Sequence, residues 1–369
     1  MTDKSVPMKV LMIARGTLYS CPGGDTTQIK MTAKYLKSLG IDVDVRLSDE
    51  KIDYDNYHLI HYFNIIRPAD ILPHIKQSKV PFAVSTIFVD YREYETKYRK
   101  GLAGLASKLL SRDQTEYLKV IARSIKNGEK VKSRFYLLHG HKNSVRWVAQ
   151  RAAILLPNSH NEYKRFSEWY KVSQRYQKVV NAIDPDHFHD NIKPDPRYAG
   201  HVLCVGRIEG LKNQLNLIKA LATTDLQLTI IGKPSPNHIG YYEQCRKLAG
   251  QYKNITIINH INHDQLSAVY KAAKVHVLPS WFETTGLSSL EAAVMGCNIV
   301  ITDKGDTKEY FGDHAYYCQP DDVDSIRTAD VKAYNDPVNP KLKEFILNNN
   351  TWMKAAQQTL AAYQSILKN

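Results

Sequence analysis

One short stretch in the second half of the chain carries the residues best suited to chemistry. Glu283 and Glu291 stand eight residues apart in the run 279–293, which follows a short apolar strand pattern and leads into a helical pattern. Inside one helix this spacing would separate the carboxylates by about 12 Å along the axis, too far for a glycosidase-type pair. We therefore predict that Glu283 lies in a loop and that Glu291 lies on the helix.

The two acids suit different tasks. Glu283 in the loop is placed to reach a sugar, and Glu291 on the helix can accept two hydrogen bonds from neighbouring hydroxyls. A structural alternative is open for Glu291, because Ser288 and Glu291 have the S-x-x-E spacing of a capping box. In either case, the free amides at the start of this helix would attract a phosphate group or another anion.

A second loop, after the strand pattern at 202–205, supplies positive charge. Arg207 offers a forked cation and Lys212 a point-like cation, and together they suit a diphosphate group. The alternative is that both are ordinary exposed surface cations.

Two further candidates lie in the first half of the chain. Gly23 and Gly24 fall between a strand and a helix, where backbone without side chains approaches a ligand closely, although such a pair is also common in simple turns. Asp90 is the polar side chain nearest the end of the fourth strand. It is a candidate for contact with an acceptor, and a turn or cap role is its alternative.

Other kinds of site lack their signatures. The chain contains neither a G-x-G-x-x-G fingerprint nor a G-x-x-x-x-G-K-[ST] loop, so NAD-dependent and P-loop activities lose their main support. His139 and His141 form an H-x-H pair without cysteine or carboxylate ligands nearby in the sequence. We therefore expect no metal and no other cofactor.

The elements that must position these residues follow an α/β pattern. Short apolar strands alternate with helical patterns and predict a parallel, doubly wound sheet. The predicted strands are 10–14, 41–47, 58–63, 82–89, 153–156 and 179–182, then 202–205, 228–231, 255–258, 275–278 and 299–302. The stretch 184–200, with three prolines, is typical of a linker. We predict Rossmann-like domains at 1–190 and 200–347 with a ligand cleft between them, and a helix at 351–369 that returns to the first domain.

Composition narrows the class of protein and its partners. Of 369 residues, 43% are hydrophobic and 24% charged, which is typical of a globular protein and excludes disordered, collagenous and disulfide-scaffold classes. Five scattered cysteines suit a reducing compartment, and the N-terminal apolar run of five residues is too short for a signal sequence. We expect a cytoplasmic protein whose membrane contact, if any, is peripheral.

Positive charge is concentrated in one segment. The chain has a net charge of +13, and the segment 97–151 has 14 Lys and Arg against three acids, giving +11. Leu102, Leu105, Leu109 and Leu110 recur there at helical spacing beside Lys108 and Arg112. This predicts a basic helical insertion, either a surface for an anionic membrane or acceptor, or a solvated helix packed on the sheet.

Three motifs together resemble the retaining GT-B glycosyltransferases of family 4. They are Gly23-Gly24 ahead of the first helix, Gly206-Arg207 followed by Lys212-Asn213, and the run Pro279-Ser280 to Glu291-Ala292. The resemblance implies that Arg207 and Lys212 hold the donor diphosphate, that Glu291 binds the ribose and that Glu283 lies by the transferred sugar. It also implies that the backbone of Thr285, Gly286 and Leu287 cradles sugar and phosphate.

The chain departs from the family pattern at two places. The usual E-G-F-G loop reads Glu283-Thr284-Thr285-Gly286, and the histidine that many members carry after the fourth strand is missing from 85–91. The resemblance implies sugar transfer from a nucleotide diphosphate sugar to a saccharide or lipid-linked acceptor, as in cell-surface polysaccharide or glycolipid synthesis. A phosphorylase, a sugar-nucleotide epimerase, a non-catalytic sugar-nucleotide binder and a basic nucleic-acid-binding protein are the alternatives, the last without any nucleic-acid-binding signature.

Overall fold

The computed structural model describes residues 8–98, 110–127, 131 and 133–368. The chain divides into two compact units. Unit 1 contains Met1–Phe88, Lys100–Asn181 and Trp352–Asn369, and unit 2 contains Val89–Arg99 and Ala182–Thr351. Each unit is built on its own parallel sheet with its own buried core, so the predicted α/β class with two doubly wound domains is confirmed.

The described residues of unit 1 form five parallel strands in the order β2-β1-β3-β4-β5. They are β1 (Lys9–Ala14), β2 (Asp42–Leu47), β3 (Leu59–Phe63), β4 (Phe82–Ser85) and β5 (Ile154–Leu156). The central strands β3 and β4 are buried along their whole length and mostly apolar, as is typical of a parallel sheet covered by helices on both faces. In the register, Met12 stands between Val45 and His61.

The helices that lie between these strands in sequence are α1 (Gly24–Ser38), α2 (Pro68–Gln77), α3 (Arg112–Asn127) and α4 (Arg134–Arg151), and α5 (His160–Tyr170) follows β5. Gly140, with a φ of 73°, interrupts α4 with a kink. The helix predicted around Leu102, Leu105 and Leu109 lies outside the described residues. The described part of the basic insertion forms α3 and α4.

Unit 2 contains six parallel strands in the order β11-β10-β9-β6-β7-β8. They are β6 (Val202–Val205), β7 (Leu228–Ile231), β8 (Ile255–Ile258), β9 (Val275–Leu278), β10 (Asn298–Thr302) and β11 (Tyr316–Cys318). The helices are α6 (Gln214–Leu221), α7 (Ile239–Ala249), α8 (His263–Ala272), α9 (Leu287–Val294), α10 (Thr307–Phe311), α11 (Val323–Asn335) and α12 (Pro340–Asn349).

The last helix, α13 (Trp352–Leu367), packs on unit 1, where it contacts α1. Its buried Tyr363 hydroxyl lies 2.7 Å from Nδ1 of His61 on β3, and the other ring nitrogen of His61 lies 2.9 Å from the Ser85 hydroxyl. Burial lowers the pKa of His61 to about 3, so the ring is neutral and one nitrogen donates while the other accepts. Among the helices of the described residues, none is long and apolar enough to cross a membrane.

Four details differ from the prediction. The strand predicted at 82–89 ends at Ser85, and Ile87, with a φ of 46°, has left the extended conformation. The stretch 179–182 is buried but forms no ladder within the described sheet, and β11 was not predicted. Residues 89–99 cluster with unit 2 rather than with the first domain to which the prediction gave them.

The order of strands marks one position in the sheet of unit 2. From β6 the chain builds outward through β7 and β8, and from β9 it builds outward in the opposite direction through β10 and β11. The neighbouring strands β6 and β9 therefore flank the topological switch point. In open α/β sheets, ligands bind beyond the carboxyl ends of the strands at such a point.

Candidate functional site

The loops that leave β6 and β9 carry the residues singled out in the sequence. Arg207 and Lys212 follow β6, and Glu283 follows β9, with Val202 of β6 paired to Val275 of β9 in the sheet. Since the strands are parallel, both loops emerge at the same edge, at the switch point. The structure thus brings the predicted cations and the predicted loop acid together.

Lys212 and Glu283 form the central contact of this edge. The Lys212 Nζ atom lies 2.6 Å from Oε2 of Glu283, and the Ser280 hydroxyl donates to the same oxygen at 3.1 Å. Burial alone would lower the pKa of Lys212, but Glu283, with smaller contributions from Tyr91 and Glu209, raises it above its usual value. Lys212 therefore stays charged, with its side chain only 22% exposed. The alternative that it is an ordinary surface cation is wrong.

The loop that holds Glu283 is fixed through its backbone. Glu283 donates its N–H to the Lys304 carbonyl and accepts from the Asp306 N–H at 3.0 Å. Gly305 lies between these two partners with a φ of +106°, and a side chain there would overlap the Glu283 backbone. A glycine at 305 is therefore required for this close approach. The backbone contacts position the Glu283 side chain, and its carboxylate takes no part in them.

Arg207 is held by an acid that the sequence analysis missed. Its Nη2 atom lies 3.3 Å from Oε1 of Glu209, whose side chain is 7% exposed and whose other oxygen accepts from the Ser235 hydroxyl at 2.7 Å. The Arg207 side chain itself is 59% exposed. Glu209 is the one acid between the two cations in sequence, which was the available signal.

The start of α9 contains the three residues expected to cradle a ligand through their backbone. Gly286 is the N-cap with φ 73° and ψ 67°, Leu287 is the first helical residue, and Thr285 is buried just before them. The left-handed conformation at 286 favours glycine, since a side chain there would be strained. No side-chain oxygen caps this helix.

Glu291 lies on α9, as predicted, and it does not cap the helix. The N-cap is Gly286 and not Ser288, so the capping-box alternative is wrong. One Glu291 oxygen lies 3.2 Å from Nε2 of His263 and the other accepts from the Tyr270 hydroxyl at 3.3 Å. The hydrogen bond to Glu291 raises the pKa of His263. His263 and Tyr270 come from α8, and neither was anticipated from the sequence.

Asp90 belongs to the segment 89–99 of unit 2. Its carboxylate lies 2.7 Å from Nη2 of Arg92 and accepts the Arg92 backbone N–H at 3.2 Å. These contacts are those of a turn residue. The acceptor role for Asp90 stays a prediction.

Gly23 and Gly24 lie in unit 1, at the start of α1. Gly23 is the N-cap, and its N–H donates to the Thr26 hydroxyl at 3.1 Å. Beside them, Arg15 at the end of β1 pairs with Asp25 at 2.6 Å. Burial would raise the pKa of Asp25, but its hydrogen bonds from Arg15 prevail and the pKa is lowered. This ion pair was not predicted from the sequence.

One group among the described residues has ligand atoms close enough for a metal ion. These atoms of His187, His263 and Asp264 lie within 4.8 Å of one another. The Asp264 side chain is 92% exposed, and Nε2 of His263 already contacts Glu291. We assign no metal to this group.

Known proteins resemble both halves of the chain. Residues 187–352 match the family described as Glycosyl transferases group 1. A relative from Campylobacter jejuni, the N-acetylgalactosamine-N,N'-diacetylbacillosaminyl-diphospho-undecaprenol 4-alpha-N-acetylgalactosaminyltransferase, is 24% identical over 323 residues, 81% of this chain and 83% of the relative.

Two solved structures share the fold over nearly the whole chain. Sucrose-phosphate synthase from Thermosynechococcus elongatus superposes with a TM-score of 0.76 at 15% identity, covering 98% of this chain and 99% of the other. An E. coli structure described as trehalose-6-phosphate bound with UDP-2-fluoro glucose gives a TM-score of 0.66 at 9% identity, covering 96% and 99%. With its two parallel α/β units, the chain has the GT-B fold, and its residues 187–352 are similar to the glycosyl transferases group 1.

Proposed function

We propose that the protein transfers a sugar, with retention of anomeric configuration, from a nucleoside diphosphate sugar to a saccharide or lipid-linked acceptor. The observation that carries this proposal is the Lys212–Glu283 pair at the switch point of unit 2. It joins a buried cation suited to a diphosphate with a carboxylate suited to a sugar hydroxyl. Glu291 on the same edge supplies two acceptor oxygens for a ribose diol.

The geometry suggests how the donor is held. When the bond between sugar and diphosphate breaks, negative charge grows on the leaving phosphate, and fixed cations stabilise that charge. Lys212 and Arg207 supply the cations. A phosphate oxygen that replaces Glu283 as the partner of Lys212 would release the Glu283 carboxylate to accept a hydrogen bond from the sugar. The pair thus keeps Lys212 in position until the donor binds.

We propose that this reaction needs no metal ion, because two protein cations already face the diphosphate. The Lys212 side chain is nearly buried, and its charge is therefore screened less than that of a surface lysine. The Arg207 guanidinium, held by Glu209, offers a forked pair of donors to phosphate oxygens.

On the acceptor side we propose contact with an anionic membrane surface on the cytoplasmic face, in cell-surface polysaccharide or glycolipid synthesis. The support is the +11 segment 97–151 together with exposed apolar side chains on its described helices. Leu118 and Ile125 on α3 are 50% and 78% exposed, and Leu137 and Leu138 on α4 are 42% and 81% exposed. The Tyr117 hydroxyl donates to the Leu137 carbonyl, which joins the two helices. The Campylobacter relative is named for a lipid-linked acceptor.

The donor part is tested by thermal shift with UDP, GDP, ADP and CDP and their sugars, followed by turnover with the sugar that binds. Stabilisation by one nucleoside diphosphate and net transfer to an acceptor support the proposal. Conversion of the donor sugar without an acceptor would indicate an epimerase instead, and orthophosphate-dependent release of a sugar phosphate a phosphorylase.

The membrane part is tested with vesicles that contain 30% phosphatidylglycerol in phosphatidylcholine. Ile125→Ser with Leu138→Ser should reduce vesicle binding severalfold, whereas Val338→Ser, which changes an exposed apolar side chain of unit 2 (43%), should not. Equal binding by all three proteins would make α3 and α4 a solvated surface only.

A further inference from the structure

Residues 89–96, which we call the strap, belong to unit 2 and pack beside the loops that follow β6 and β9. The Tyr91 ring lies 6.3 Å from the Phe282 ring, edge to face, and the Tyr94 ring lies 6.1 Å from the Trp281 ring, centroid to centroid. Glu93 pairs with Lys304 at 3.7 Å. Phe282 immediately precedes Glu283, and the Lys304 carbonyl accepts the backbone N–H of Glu283. The strap therefore contacts both the residue that precedes Glu283 and the residue whose carbonyl binds the Glu283 N–H.

Tyr94 occupies a notch that only a glycine leaves open. Its hydroxyl lies against Gly210, the first residue of the short turn that ends at Lys212, and a methyl group at position 210 would overlap that hydroxyl. The φ of Gly210 is not in the left-handed region, so the backbone does not require a glycine here. The close approach of Tyr94 is what requires it.

Tyr91 stands among the charges of the site. The charges of Lys212, Glu283, Glu209 and Arg207 all act on its hydroxyl, with Lys212 the strongest of the four. Burial raises the pKa of Tyr91 to about 12; Lys212 and Arg207 lower it, and Glu283 and Glu209 raise it. At neutral pH the hydroxyl is therefore protonated and can donate a hydrogen bond.

We propose that Tyr91, seated by the docking of Tyr94 against Gly210, is a donor-site residue whose hydroxyl donates to the diphosphate oxygen held by Lys212. This inference rests on the proposed function. It gives Tyr91, which lies after the fourth strand, a contact with the donor, whereas the contact predicted from the sequence is one between Asp90 and the acceptor. A phosphate oxygen suits the Tyr91 hydroxyl as a hydrogen-bond acceptor. The neutral hydroxyl adds a second donor beside Lys212 without adding a charge that would repel the lysine.

The direct test compares Tyr91→Phe with the wild type in calorimetric titrations of the nucleoside diphosphate that binds best and of its monophosphate. We expect about a tenfold loss of diphosphate affinity, equal to about 1.4 kcal/mol, and little change for the monophosphate. Tyr252→Phe, the same chemical change before β8 at the opposite edge of the sheet, should leave both affinities unchanged. Equal losses for diphosphate and monophosphate would overturn the assignment to the diphosphate.

The seating of the strap is tested by a double-mutant cycle. Gly210→Ala should push Tyr94 out of its notch and weaken diphosphate binding about tenfold. In a Tyr94→Ala background, which itself weakens binding, the same Gly210→Ala change should add little. If Gly210→Ala costs the same in both backgrounds, it acts on Lys212 directly and Tyr94 does not seat the strap.

The outcomes separate this inference from the proposed function. If no nucleoside diphosphate binds the wild type, the proposed function fails first. If the wild type binds and transfers sugar while Tyr91→Phe matches it in affinity and turnover, this inference alone fails. A folded control by circular dichroism accompanies each variant, and Tyr91→Phe removes one oxygen only, so a loss of fold is not expected.

Discussion

Lys212 and Glu283 stand 71 residues apart in the sequence and 2.6 Å apart in the structure, at the junction of β6 and β9. Each follows one of the two strands that flank the switch point. The pair is therefore a direct product of sheet order.

Replacing Lys212 by Ala should weaken nucleoside diphosphate binding by about 1.5–3 kcal/mol, the range for a hydrogen bond to a charged group. The same change at Arg207 should cost less, because its side chain is largely exposed. Titration calorimetry of both variants measures the difference. Unchanged affinity in both would remove these cations from the donor site.

The two acids should separate binding from turnover. Glu291→Gln keeps the size of the side chain but weakens the interaction with a ribose diol, so donor affinity should fall by about tenfold. Glu283→Gln should lower kcat more than it lowers nucleotide affinity, because its partner is the reacting sugar. Steady-state kinetics with nucleotide titrations test both, and intact turnover in both variants would make the acids structural.

The Arg15–Asp25 pair should make unit 1 sensitive to acid. The pKa of Asp25 is lowered in the folded protein, so its stabilising contribution is fully present above the unfolded value near 3.9 and is lost as pH falls through the folded pKa. Asp25→Asn should therefore reduce the free energy of unfolding by about 1–3 kcal/mol at pH 6. The gap to the wild type should narrow below about pH 3.9, as urea titrations at several pH values would reveal, and a constant gap would contradict it.

Activity should survive excess EDTA. In the proposed mechanism, Lys212 and Arg207 supply the positive charge that a divalent ion would otherwise bring to the diphosphate. The one described group of possible ligands, at His187, His263 and Asp264, provides the control. Loss of activity in EDTA that Mg²⁺ or Mn²⁺ restores in the wild type, but not in His187→Ala, would show that this group binds a required ion.

Much of the fold was predictable because buried parallel strands are short apolar runs, and the five predicted strands of unit 2 match β6 to β10. β11, with Tyr316 and Tyr317 only partly buried, lacks such a run. The stretch 179–182 has the apolar pattern without the ladder. Its apolar residues are buried, and burial alone gives the same sequence pattern as a paired strand. The strand at 82–89 was overextended because the left-handed turn at Ile87 has no composition signal.

The candidate site was predictable residue by residue but not as contacts. Strand ends point to Arg207, Lys212 and Glu283 through local spacing. The partners Glu209, His263 and Tyr270 have no motif, and only the packing of α8 against α9 brings two of them to Glu291. Tyr91 was missed because the chain departs from its own domain after β4, which the sequence does not signal.

The return of α13 to unit 1 has a consequence for the order in which the units form on the ribosome. His61 and its partner Tyr363 are 302 residues apart, and all of residues 182–351 are synthesised between them. Unit 2 can fold as soon as it emerges, since chains fold domain by domain from the N-terminus. Synthesis of unit 1 begins earlier, yet its folding finishes later. Nδ1 of His61 has its partner Tyr363 only after the last helix is synthesised. In nascent chains halted before residue 352, unit 2 should therefore resist proteolysis while unit 1 is still cleaved.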